Sequence, residues 1–166
     1  MRAKSSRKER HGFTLVEVLI VVVILGILAA TVLPQFTASA DDAKESTLVQ
    51  DLQTLRSQIE LYRFQHNGAY PAAGSTTAVD FEDRMLKSTD PDGTVGDIGT
   101  KPLGPYFVGQ LPINPYNQKR TIKIVNADTL PAADGTTGWL YSSKTGRIKA
   151  NVAGTAKDGV TLLADL

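Results

Sequence analysis

Hydrophobic and polar positions divide this chain sharply. From Val18 to Leu33 almost every residue is apolar, and Thr31 carries the only hydroxyl. With Phe13, Thr14, Leu15, Val16 and Glu17 the span is 21 residues. As a helix it is roughly 31 Å long, about the thickness of a bilayer core. Pro34 lacks a backbone donor, so a kink or loosened turn is expected there rather than a necessary end. Residues 35–47 are polar and alanine-rich without glycine, and continue as helix. Leu48, Leu52, Leu55, Ile59 and Tyr62 then recur at spacings of 4, 3, 4 and 3. Gln50, Asp51, Gln53, Arg56 and Glu60 occupy the other face. This is the pattern of a helix packed on a sheet. Asn67-Gly68 followed by Pro71 supplies its stop. One helix is therefore predicted over about residues 14–66.

Beyond it the period shortens. Residues 80–87, with Phe81, Met85 and Leu86, read as a short helix. Residues 88–105 read as loop, punctuated by Asp90-Pro91-Asp92-Gly93, Gly96, Gly99, Pro102, Gly104 and Pro105. Residues 121–126 alternate as a strand. Residues 139–142 and 147–151 flank Lys144-Thr145-Gly146 as a hairpin, with the glycine in the left-handed position. Residues 129–138 form a long connection, and 160–163 read as an edge strand. Trp139 is assigned to the core and Tyr141 to the surface of its strand, and Tyr106-Phe107 reads as core. The fold class is α+β: a long N-terminal helix on a small antiparallel sheet.

Charge changes the picture of the ends. The chain has 18 basic and 17 acidic residues. Arg2, Lys4, Arg7, Lys8 and Arg10 stand in residues 1–12 against Glu9 alone. Removing that stretch leaves 13 basic and 16 acidic residues, a balance with no basic patch for nucleic acid. There is no cysteine, which excludes a disulfide scaffold, a thiolate metal site and a cysteine nucleophile.

Two ordinary readings compete for the apolar run. A secretory signal peptide would be cut near Ala38-Ser39-Ala40, but the run is too long and the cut lies beyond Pro34. A plain single-pass anchor accounts for the run and not for Glu17. A charge near the bilayer centre costs on the order of 3 kcal/mol on insertion scales, so a carboxylate there calls for a cationic partner. A chain beginning at Phe13 would have its α-amino group four residues before Glu17, on the same helical face.

The run Gly12-Phe13-Thr14-Leu15-Val16-Glu17 ahead of an apolar helix resembles the signal of type IV pilins and type II secretion pseudopilins. Residues 62–71, Y-R-F-Q-H-N-G-A-Y-P, resemble the helix exit of the major pseudopilins. Tyr106, Leu111-Pro112 and Asn114-Pro115-Tyr116-Asn117 resemble their loop before the sheet. The resemblance implies cleavage after Gly12 by a prepilin peptidase, methylation of Phe13 and subunit docking through Glu17. It implies a flexible helix at Pro34 and a pilin-like fold. The expected organisation is a cleaved leader at 1–12, a membrane and filament-core helix at 13–34, an amphipathic helix at 35–67 and a periplasmic domain at 68–166. The expected partners are further copies of the chain, minor pseudopilins, the peptidase, an inner-membrane assembly platform and the membrane, with no nucleic acid. The basic leader would stay in the cytoplasm.

Calcium enters in two ways. Asp90, Asp92 and Asp97 lie on a turn of a kind that suits the ion, yet the spacing lacks an EF-hand's terminal glutamate, and Asp-Gly turns are common without metal. The resemblance implies calcium at an acidic C-terminal loop, where this chain has only Asp158 and Asp165. No cofactor is expected, and no catalytic constellation is found. His11 and His66 form no mature pair, and neither a GxxxxGKS loop nor a GxSxG elbow is present. The chain therefore reads as a structural subunit of a secretion pseudopilus. A pilin of a surface pilus and a membrane-tethered periplasmic binding domain are the alternatives.

Overall fold

A computed structural model of the chain describes residues 12–166. Most of the expected basic leader, together with His11, lies outside the described residues. The chain divides into one unit ending at Ala40 and a second of Asp41–Leu166. Helix α1, Leu15–Gln65, is continuous and remains helical through Pro34. In the first unit the 18 residues Leu15–Val32, apolar apart from Glu17 and Thr31, are long enough to cross a membrane, and none is buried.

In the second unit the predicted stripe is the core. Leu48, Leu52 and Leu55 are fully buried, and Ile59 and Tyr62 nearly so. They share one hydrophobic cluster with Phe81 and Met85 of α2, Ala78–Leu86, and with residues of a three-stranded sheet. The helix ends as its sequence demands. Asn67 and Gly68 both take positive φ, and the Gly68 N–H donates to the Arg63 carbonyl at 2.9 Å. His66 enters the core at this point. Its ring stacks on Tyr62 with centroids 3.6 Å apart. Its Nδ1 lies 2.8 Å from the Tyr62 carbonyl and its Nε2 2.9 Å from Thr89 Oγ1. A carbonyl only accepts, so Nδ1 carries a proton.

The segment expected to be loop at 88–105 contains a small antiparallel ladder of β1, Ser88–Thr89, and β2, Val95–Gly96. The main sheet has the order β3, Ile122–Val125; β4, Trp139–Ser142; β5, Ile148–Ala150. The β4–β5 hairpin is antiparallel as predicted. The β3–β4 pair is parallel, with Ile122 opposite Trp139. The connection of residues 126–138 explains this, because a parallel return needs a crossover of about a dozen residues or more.

Strand β4 is central and buried along its whole length. This corrects the surface assignment of Tyr141. Residues two apart on a strand share a face, so Tyr141 points with Trp139 into the helix-side core. Its hydroxyl donates to the Pro71 carbonyl at 3.0 Å, and the Trp139 indole N–H donates to the Pro112 carbonyl at 3.0 Å. Burial pushes the Tyr141 phenol well above its ordinary range. The expected edge strand at 160–163 is absent. A single bridge joins Thr155 to Leu162, and a 3-10 turn, Leu163–Asp165, follows. The turn uses Leu163 and Ala164 for burial, which a continuous strand of this length would not pack.

Gly146 is required twice over. Its φ is +71°, and an added Cβ would stand 2.1 Å from the Tyr70 ring. The Asn114-Pro115-Tyr116-Asn117 motif also acquires a role. Asn114 is fully buried, its amide donates to the Gly138 carbonyl at 2.9 Å, and its Oδ1 receives the Tyr116 N–H at 3.0 Å. The motif thus pins the loop to the start of β4.

Candidate functional site

Gly12, Phe13 and Thr14 precede the first helical residue and are exposed, Phe13 by 80%. The Gly12–Phe13 bond therefore lies in non-helical, accessible backbone, the form a peptidase can engage. Glu17 stands in the first turn of α1. Among the described residues no cation pairs with it. Its carboxylate turns back toward the chain start, where Oε2 accepts the Thr14 N–H at 3.4 Å. In return Thr14 Oγ1 accepts the Glu17 N–H at 3.2 Å. This is a capping box. It satisfies two backbone donors that a helix start leaves without partners.

The sequence reading missed Thr14. The signal was present as threonine followed three residues later by glutamate before an apolar run. The arrangement fixes where the negative charge lies: at the helix start, against the positive end of the helix dipole and one turn from Phe13. Replacing Thr14 by alanine is expected to cost the helix start about 1 kcal/mol. Filament yield should fall by less than it does on loss of Glu17, and pelleting of sheared filaments measures both.

The other candidates do not assemble into a site. Lys101 is paired with Asp90. Asp92 Oδ1 accepts the Thr94 N–H at 2.9 Å, and the Thr94 bonds hold its carboxyl below the usual range. Asp158 is spent on its own turn, accepting from the Val160 and Thr161 N–H groups at 2.9 and 2.8 Å and from the Thr161 hydroxyl. Asp165 lies in the 3-10 turn. Among the described residues no three His, Cys, Asp or Glu side chains come together. A calcium ion takes six to eight oxygens, and neither set of acids fits it.

The family model for the prokaryotic N-terminal methylation motif matches residues 7–33. The type II secretion system core protein G of Klebsiella michiganensis is 30% identical over 149 residues, 83% of this chain and 99% of that protein. The chain belongs to the family of type II secretion system core protein G. Core protein G of Pseudomonas aeruginosa is 42% identical over 66 residues, and that of Vibrio cholerae 38% over 89 residues. These two matches span 46% and 57% of those proteins, so the core protein G likeness is denser in part of the chain than along all of it. No solved structure matches the chain.

Proposed function

We propose that this chain is a structural subunit of a type II secretion pseudopilus. In this reading a prepilin peptidase cuts between Gly12 and Phe13 and methylates the new amine of Phe13. The observation that carries it is the order of features at the start of α1. An accessible Gly-Phe bond leads directly into a capped glutamate, set in a predominantly apolar span, Leu15–Val32, that buries nothing in its own chain. An apolar face that its own fold leaves open is covered by lipid or by other copies.

The subunit waits in the inner membrane as a single-pass protein, with its leader in the cytoplasm and residues 68–166 in the periplasm. That orientation follows from the basic residues before the span. During assembly Glu17 meets the α-amine of a neighbouring Phe13 and the apolar helices pack as the filament core. Pro34 leaves the carbonyl one turn before it without a helical donor, which gives the helix a point of flexure as it leaves the membrane. Minor pseudopilins and the assembly platform are the remaining partners. The role of the chain is mechanical, so energy and catalysis come from those partners.

Mass spectrometry of protein purified from the native membrane tests the processing. The expected N-terminus is a monomethylated Phe13. An intact Met1, or a start at Asp41, would refute the reading. Deleting the gene should abolish export of folded secretion substrates and leave surface-pilus motility intact. The reverse outcome assigns the subunit to a surface pilus.

A further inference from the structure

The second unit has a turn whose chemistry the filament reading does not use. Residues 134–136 present three oxygens of the hard type that divalent cations favour: the Asp134 carboxylate and the carbonyls of Gly135 and Thr136. Each is occupied by a lysine of this chain. Lys123 Nζ lies 2.8 Å from Asp134 Oδ2. Lys119 Nζ lies 2.7 Å from the Gly135 carbonyl and 3.2 Å from that of Thr136. The other carboxylate oxygen, Oδ1, accepts the Thr136 N–H at 3.0 Å, the Thr136 hydroxyl at 2.6 Å and the Asn151 amide at 2.7 Å.

Asn151 completes the arrangement from inside. It is fully buried. Its Oδ1 accepts the N–H groups of Asp134 and Gly135 at 2.7 and 3.1 Å, and its amide also donates to Thr137 Oγ1 at 2.9 Å. Both acceptor sites and both donor hydrogens of its amide are therefore satisfied. Asn117 ties the end of the turn, donating to the carbonyls of Thr137 and Asn151. With Lys123 first and Thr136 next, these bonds hold the Asp134 carboxyl far below the ordinary carboxylate range.

We infer that the 134–136 turn is built like a cation-holding turn whose cations are the chain's own Lys119 and Lys123 ammonium groups, so that the domain folds and stays folded without calcium. Lys119, on the segment leading into β3, and Lys123, within it, supply the positive charge, and a buried asparagine sets the backbone. The loop therefore needs no ion from solution. This is independent of the filament reading, since the bonds all lie within one copy of the second unit.

The test is thermal unfolding of the mature full-length chain in detergent, followed by near-ultraviolet circular dichroism of its single tryptophan, Trp139. The expected Tm is the same in millimolar calcium chloride and in EGTA at equal ionic strength. A Tm about 4 °C or more higher in calcium, the effect of a bound stabilising ion on a domain of this size, overturns the inference. The double variant Lys119→Met with Lys123→Met should melt about 4 °C lower in EGTA. That gap should narrow in high salt, because the lost contacts are exposed charges that salt screens. A double variant as stable as the parent, or a loss that salt leaves untouched, also overturns it.

Discussion

Chains carrying Glu17→Ala are expected to be cut after Gly12, methylated at Phe13, and then to remain in the membrane without forming filaments. The proposed cleavage would engage the exposed backbone around Gly12 and Phe13, which lies before the first helical residue, without the glutamate side chain. The proposed assembly does use it. In the proposed assembly, each subunit that leaves the headgroup region buries an α-amine and a carboxylate in an apolar core. Removing one partner of such a pair costs about 3–5 kcal/mol, because the other charge is left buried and alone. At about 1.4 kcal/mol per tenfold every subunit contact weakens by more than a hundred-fold, and a polymer repeats that loss at each step. Gel separation of precursor from mature chain reports the cleavage, and electron microscopy of sheared material reports the filament. Filaments in parental amounts from Glu17→Ala would remove the carboxylate from the mechanism. Glu17→Gln separates charge from hydrogen bonding, since it keeps an oxygen for the Thr14 N–H and loses the charge.

Trp139→Ala is expected to unfold the second unit at or near growth temperature without touching the helix start. Trp139 is fully buried at the centre of the sheet, and its indole N–H is tied to the Pro112 carbonyl. A buried tryptophan cut to alanine costs about 3–5 kcal/mol, a large share of the about 5–15 kcal/mol that holds a domain folded. The Tm of a domain of this size should fall by more than 10 °C, at about 4 °C or more per kcal/mol. Trp139→Phe keeps most of the ring volume and orphans the Pro112 carbonyl, for a smaller loss of about 1–3 kcal/mol. Differential scanning calorimetry of the two variants checks both the order and the size. A Trp139→Ala protein within a few degrees of the parent would mean that the core is not organised around β4.

These two experiments probe the parts of the molecule that were most and least legible in its sequence. The stripe from Leu48 to Tyr62 was readable because one helical face repeats every three or four residues, and all five positions are buried. The Asn67-Gly68 stop and the Gly146 turn were readable because positive φ leaves few residue choices. Strand partners were not. Nothing local in residues 122–125 states that their neighbour lies beyond a crossover, so the parallel pairing appeared only in three dimensions. Tyr141 was misplaced for the same reason, since a central strand is buried on both faces and loses the alternation that marks an exposed one. At the helix start Glu17 stood out as a charge in an apolar run, the roles of Gly12, Phe13 and Glu17 came through the resemblance, and the capping role of Thr14 came from geometry. Lys119 and Lys123 were invisible as a pair because their oxygens lie more than ten residues further along the chain.

Along α1, no described apolar residue before Leu48 is buried. A saturation scan of the helix should therefore split into two regimes. Up to about residue 47, tolerance to substitution should follow lipid solubility and fit to neighbouring copies, and damaging changes should leave a folded, protease-resistant domain. From Leu48 onward the same kinds of change should lower the amount of protein that survives in the cell. One continuous helix thus carries two separate selection pressures, and the border between them is readable as a change from assembly defects to abundance defects.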